Sequence, residues 1–301
     1  MSQGITFTSY VPGALVGNNS PSPTLAAEIV TGLPIPTGAF PGNAFFLTEL
    51  QANQASQFPV NSAAQLICHA GWYLVVKVDA SAVAANIKQG AIGAQLNIPT
   101  TQLTETANIP PQAVVTDGAT AATAGFLGMN PVIFLNPVTP GNYTIVQIAG
   151  DASVLLAASQ TTVIGQGLLS QTPGTVLSAT TALSLANIQN LVGIAQAVTV
   201  TPAAALVLSA VAASSGGSAV YTGTITGGGS NAFAGLYFVV AGFTNATNNS
   251  AYAGPQGFVC TASTTTTLTL TNNLAIAETH AGTATSTNLV RAKVDFPFGV
   301  I

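Results

Sequence analysis

The sequence predicts an all-β protein, and three observations carry the prediction. Apolar runs are short, roughly four to eight residues, and are bounded by Gly, Pro, Asn or Ser. Several alternate apolar with polar side chains at the period of a strand, most plainly Thr267-Leu268-Thr269-Leu270-Thr271 and Leu289 to Gly299. Stretches compatible with a helix are confined to two brief segments, Ala80 to Lys88, which Gly90 would end, and Leu183 to Leu191.

Taken in order, residues 1–50 are dense in proline: Tyr10-Val11-Pro12-Gly13, Ser20-Pro21-Ser22-Pro23, Leu33-Pro34-Ile35-Pro36 and Phe40-Pro41-Gly42. Proline at this density opposes a long helix or a central strand. Phe7, Tyr10, Leu15, Phe40, Phe45 and Phe46 are too many apolar anchors for a solvated linker. Two conformations satisfy both facts: an extended arm lying on a neighbouring surface, or an irregular strap over the chain's own core. On the first, these six residues are the candidate assembly contacts.

From residue 51 the pattern becomes that of short strands. Ala64 to Cys68 and Trp72 to Val78 flank His69-Ala70-Gly71, and Pro131 to Leu135 and Tyr143 to Ile148 flank a turn at Thr139-Pro140-Gly141-Asn142. Ala152 to Ala157, Gly174 to Leu177 and Val192 to Ala195 follow at the spacing of a barrel or sandwich. The region 206–288 is richer in Thr and Gly. Its runs at 206–211, 219–226, 236–243, 258–262, 267–271 and 279–285 predict an immunoglobulin-like β-sandwich. The strand at 289–299 brings back charge and resembles the earlier region in composition. The expected organisation is therefore an arm (1–50), a β-barrel or sandwich main domain (51–205 plus 289–301), and the sandwich (206–288) inserted into it.

Composition narrows the function. At 301 residues the chain can bury a full core without metal or disulfide staples. Charged residues make up 4 %, against about 25 % in an ordinary globular protein. Lys77, Lys88, Arg291 and Lys293 are the only cations, and no charge lies between Asp151 and Glu278. A membrane helix needs about 20 consecutive apolar residues, and Ala203 to Ala213 reaches only about half of that before Ser-Ser-Gly-Gly. Two readings of the deficit remain: a surface covered by neighbours, where charge is depleted, or a neutral surface on a secreted or acid-adapted protein. Four scattered cations and a net charge of −4 argue against direct nucleic-acid binding. Met1 to Ile5 shows neither a basic nor an apolar leader region, so synthesis in a cytoplasm without export is expected. Cys68 and Cys260 read as separate half-buried thiols, with a bridge between the two halves of the chain as the alternative.

Two stretches carry a resemblance. Gly141 to Leu156, with Gly165 to Val176 and Val192-Gly193-Ile194-Ala195-Gln196, resembles the β-rich head decoration proteins of tailed bacteriophages. Tyr221 to Ser286 resembles the immunoglobulin-like modules appended to phage virion proteins. The resemblance implies a virion-located cement protein, often trimeric, that binds the major capsid protein and grips the shell with an N-terminal arm. Alternatives from other classes are a glycan-binding tail-fibre or adhesin module and a self-polymerising tube or surface-layer subunit.

Catalytic patterns are sparse. No Gly-x-Ser-x-Gly elbow occurs, and Gly227-Gly228-Gly229 lacks the Lys-Ser/Thr of a phosphate loop and reads as a turn. His69 with Asp79 and a serine is the one conceivable triad. Cys68 and His69 are adjacent and would point to opposite faces of a strand, and Cys260 and His280 lack zinc spacing. The expectation is a non-enzyme without cofactor or metal. Tyr252, in a turn-rich stretch, is the candidate outer contact, while Tyr237, Phe238 and Phe243 read as core.

Overall fold

The computed structural model describes residues 44–52, 68–95, 114–119, 131–135, 137–171, 174–178, 191–250 and 257–294. Within these the protein is all-β, built from one large sheet and one closed barrel. Phe7, Tyr10, Leu15, Phe40, Tyr252, nearly all of the arm and most of the segment 183–191 lie outside the described residues.

The sheet uses β1 (Ala44–Leu47), β2 (Gly71–Val78), β3 (Ile92–Gln95), β4 (Val114–Asp117), β5 (Pro131–Phe134) and β6 (Tyr143–Leu155). It continues through β8 (Gly167–Gln171), β9 (Thr175–Ser178), β10 (Leu191–Ala195) and β18 (Leu289–Val294). Its order is β1-β2-β4-β3-β5-β6-β18-β10-β8-β9, and β2 also pairs with β6. That extra pairing closes β2, β4, β3, β5 and β6 into a ring, around which the first half of the sheet curls. β6 belongs to both halves: Tyr143 to Gly150 pairs with β2, and Gly150 to Leu155 pairs with β18. Gly150, at φ +102°, sits at the changeover, where a Cβ would lie 2.5 Å from the Ala70 carbonyl oxygen and from the Gly71 Cα. Only glycine permits that approach. Two apolar clusters fill the sheet unit, one around Val76, Val115, Phe134 and Val146, the other around Ala152, Val154, Val192, Val290 and Val294.

The segment between β2 and β3 corrects one expectation. Only a single 3-10 turn, Ala84–Asn86, forms where the alanine-rich sequence predicts a short helix. A distant side chain takes the first backbone donor that a helix starting after Asp79 would use: the fully buried Asp117 accepts from the Val83 N–H at 2.8 Å. Asp117 also accepts from Asn86 Nδ2 (3.0 Å) and the Ala119 N–H (2.9 Å). Such bonds compete with a helical ladder.

The second correction concerns the threonine-rich region. Its strands β12 (Leu206–Val211), β13 (Ala219–Thr224), β14 (Tyr237–Ala241), β15 (Phe258–Ser263), β16 (Thr267–Leu270) and β17 (Glu278–Ser286) form a closed antiparallel barrel ordered β12-β13-β16-β15-β14-β17. An immunoglobulin-like sandwich has two sheets with free edges. Here β17 pairs with both β12 and β14, so no edge is left. Register shifts between Leu208 and Ala210 and between Cys260 and Ala262 provide the bends that closure needs. The barrel has its own core around Tyr221, Phe233, Phe238, Phe258, Cys260, Leu268 and Leu270.

The barrel joins the sheet through two crossings, both held by the same segment. β7 (Thr161–Thr162) pairs with β11 (Thr199–Val200). Next to them, Thr201 Oγ1 donates to the Ala157 carbonyl at 2.7 Å, and on the return the Leu156 N–H donates to the Asn288 carbonyl at 2.8 Å. β18 then runs between β6 and β10, inside the sheet.

Candidate functional site

Charge is scarce in this chain, so its placement is informative. Of the nine charged side chains among the described residues, Glu49, Asp151, Arg291 and Lys293 gather on one outer face of the sheet. The Ala70 N–H holds Glu49 there, and strand alternation places the other three. Ala152 and Val154 of β6 and Val290, Ala292 and Val294 of β18 are buried in the core, so Asp151, Ser153, Arg291 and Lys293 point the other way. Arg291 is the register partner of Ser153, Lys293 of Asp151, and Ile194 of Lys293.

Arg291 Nη2 donates to Asp151 Oδ2 at 3.1 Å, and Gln196 Nε2 donates to Asp151 Oδ1 at 2.9 Å. His69, just before β2, reaches across to Ser153, with its Nε2 2.9 Å from Ser153 Oγ. The Tyr73 hydroxyl donates to the His69 carbonyl at 2.6 Å, and Glu49 Oε2 accepts from the Ala70 N–H at 3.2 Å. Burial, and then the Arg291 guanidinium, hold the His69 imidazole below its ordinary value of 6.5, against the opposing pull of Glu49 and Asp151. His69 is therefore neutral at pH 7.

A histidine bonded to a serine is half of an acyl-transfer arrangement. The usual third member is a carboxylate that orients the imidazole. Here Asp151 is engaged by Arg291 and Gln196, and Glu49 by the Ala70 N–H. Asp79, the triad partner that the sequence offers, lies beyond the far end of the eight-residue β2, about 25 Å away along the strand. The imagined His69–Asp79–Ser triad is not assembled. The His69–Ser153 bond instead ties the chain entering β2 to β6.

Apolar side chains flank the band on both sides. On the β2 side, Trp72 is 42 % exposed and Phe46 stacks edge-on against it at 5.6 Å, with Leu50 exposed beyond. Phe45 lies in β1 opposite Tyr73. On the β10 side, Ile194 (47 % exposed) is followed by Val198 (62 %), and the adjoining turn carries Val163 (57 %) and Ile164 (67 %). The Gly165 N–H bonds the Ala195 carbonyl at 2.8 Å, and Thr162 Oγ1 the Ala197 carbonyl at 2.9 Å, which holds these two stretches side by side.

The remaining candidates are dispersed. Cys68 and Cys260 are buried cysteines, one in each unit, and no disulfide joins them. His280 is exposed on β17, with Nδ1 2.8 Å from the Ala281 carbonyl. Among the described residues no three His, Cys, Asp or Glu side chains converge as metal ligands, and no helix is long and apolar enough to cross a membrane. Gly227 and Gly228 form the expected turn, closed by the Gly228 N–H on the Ile225 carbonyl at 3.0 Å. A cleft of about 430 Å³ between barrel and sheet is lined by Lys88, Leu155, Leu156, Asn288 and Leu289, among others. Sequence reasoning missed the band because its members come from residues 49, 69, 151, 153, 291 and 293, which only strand pairing brings together. The return of charge at 291–293 was the available signal.

No protein-family model, curated protein or solved structure matches the chain.

Proposed function

We propose that this chain is a virion structural protein, a capsid decoration or cement protein that stabilises a phage head through β-rich subunit interfaces. The supporting observation is a surface almost without charge that exposes Val163, Ile164, Ile194 and Val198 together beside a band of balanced charge. An isolated soluble protein keeps such patches small and its surface charged. A subunit covered by its neighbours needs neither. On this reading the chain performs no chemistry, takes no cofactor, and acts by mass action: contacts made only in the assembled shell stabilise that shell. Its partners are the major capsid protein and copies of itself, in a homotrimer at a symmetry axis, with the barrel displayed outward.

The test is size exclusion with light scattering and negative-stain imaging of the same fractions, followed by cosedimentation with empty heads of the phage that encodes the chain. A discrete closed oligomer that adds to the heads is the expected result. Open tubes or sheets formed by the protein alone would overturn the proposal in favour of a self-polymerising subunit.

A further inference from the structure

We infer that the cleft where the barrel meets the sheet is a binding site for a small carboxylate with an apolar body. The inference stands apart from the cement reading, which assigns no ligand to either unit.

Backbone bonds from its floor to three other segments build the cleft. The floor is the end of β6 and the residues after it, Leu155 to Ala158. The Leu155 N–H donates to the Gly90 carbonyl and the Leu156 N–H to the Asn288 carbonyl, both at 2.8 Å, and the Ala157 N–H donates to the Val176 carbonyl at 2.9 Å. Three consecutive donors tie the floor to the segment 88–90, to the crossing at 286–289 and to β9, so the walls are fixed before any ligand arrives. The small side chains of Ala157 and Ala158 leave the floor open beside Leu155 and Leu156. The volume is about 430 Å³. Clefts that hold small organic molecules measure roughly 300–1,000 Å³ and favour such junctions between structural units.

The lining sets the class of ligand. Lys88 is exposed at the cleft and makes no ion pair among the described residues, and none of the described lining residues is acidic. By contrast, Arg291 is paired with Asp151, and Lys293 stands opposite Asp151 in register. One ammonium without a second cation suits a single carboxylate, whereas a phosphate backbone calls for clustered cations. None of the described lining residues is aromatic, so the cleft offers no platform for stacking a base. Leu155, Leu156, Leu289 and Pro137 supply apolar walls instead. Asn288 also lines the cleft, at a φ of +52°, and its side-chain oxygen is buried with no hydrogen-bond partner. Buried acceptors are ordinarily satisfied, so the ligand that fits carries an N–H or O–H donor as well as its carboxylate.

The experiment is a proton–nitrogen NMR titration of the labelled full chain with N-acetyl-leucinate, which carries a carboxylate, an amide N–H and an apolar body. N-acetyl-leucinamide removes the charge, and 4-methylpentanoate removes the N–H. The expected result is a saturable set of shifts confined to residues around the cleft. The dissociation constant should be about fivefold higher for N-acetyl-leucinamide, the upper range for an ion pair with an exposed lysine. Lys88→Gln should raise the N-acetyl-leucinate constant to that of the amide and leave the amide's own constant unchanged. Asn288→Gly suits the positive φ and removes the acceptor; it should abolish the preference for N-acetyl-leucinate over 4-methylpentanoate. Ala158→Trp should fill the cleft and erase the shifts. Lys88 and Ala158 are exposed, and unchanged spectra away from the cleft verify folding in each variant. Absent shifts, or scattered shifts that do not saturate, would overturn the inference, as would variants that bind all three probes like the wild type.

Discussion

Replacing Tyr221 with Phe deletes one hydroxyl from the barrel core and leaves the ring in place. That hydroxyl is fully buried; it donates to the Asn248 carbonyl at 2.9 Å and accepts from Asn272 Nδ2 at 2.7 Å. Asn272 Nδ2 keeps a second acceptor, the Thr247 carbonyl at 2.9 Å, so the group left without its bond is the Asn248 carbonyl. A lost neutral hydrogen bond is worth about 1 kcal/mol, and an orphaned buried acceptor adds to it, so the expected cost is about 2 kcal/mol. At about 1.4 kcal/mol per tenfold, the opening equilibrium of the barrel rises roughly 30-fold. Fluorescence of the single tryptophan, Trp72, would miss this change because it reports on the sheet. The cysteines make a better assay, since Cys260 is buried in the barrel and Cys68 in the sheet unit. Burial pushes the Cys260 thiol up to about 11, against a weaker opposing backbone hydrogen bond at Ala262, so it is both shielded and protonated until the barrel opens. Pulsed thiol labelling read by mass spectrometry should show Cys260 accelerated roughly 30-fold in the variant, as the free-energy cost implies, and Cys68 unchanged. An unchanged Cys260 would refute the energetic role of the Tyr221 bonds. Equal acceleration of both cysteines would refute the independence of the two units.

Three further outcomes follow from named contacts. Gly257→Ala forces a Cβ onto the Phe238 carbonyl at a φ of +80°; it should destabilise the barrel by more than about 2 kcal/mol, seen as a lowered barrel melting transition. Glu278 accepts from the Thr244 N–H (2.8 Å), the Asn245 N–H (3.1 Å) and Asn248 Nδ2 (2.7 Å). Desolvation opposes ionisation there, but these bonds outweigh it and hold the carboxyl below its ordinary value of 4.5. A depressed acid stabilises the fold above its unfolded value, so barrel stability should fall as pH drops below about 4.5, and Glu278→Gln should flatten that dependence in Cys260 labelling. Arg291→Ala breaks a pair whose arginine side chain is 49 % exposed; it should cost less than about 1 kcal/mol, while an NMR titration shows the His69 imidazole moving up toward, but not past, its ordinary value.

Much of the fold was legible in sequence because it depends on short-range rules. Alternation at Thr267 to Thr271 and Leu289 to Val294 marks strands whatever they pair with. Proline and glycine spacing marks the turns, and the absence of long helical periods sets the class. Charge poverty is equally a property of sequence, and it alone directed attention to buried surfaces. The helix expected at 80–88 failed for a nonlocal reason. Asp117, more than thirty residues later in the chain, captures the Val83 N–H and the Asn86 amide.

What the tertiary structure decided is pairing. Six short strands with turns between them are the same text for a sandwich and for a barrel, and only β17 accepting neighbours on both edges turns one into the other. The site depends on pairing in the same way. Glu49, His69, Asp151, Ser153, Arg291 and Lys293 carry no shared spacing, and they meet because β18 returns from the barrel to lie along β6 in one register. A shift of that register by one residue would turn Arg291 and Lys293 into the core and Val290, Ala292 and Val294 out to solvent. The burial of those three apolar side chains holds the charged band in place, so the sequence determines which residues can face outward, and the long-range pairing determines which of them become neighbours.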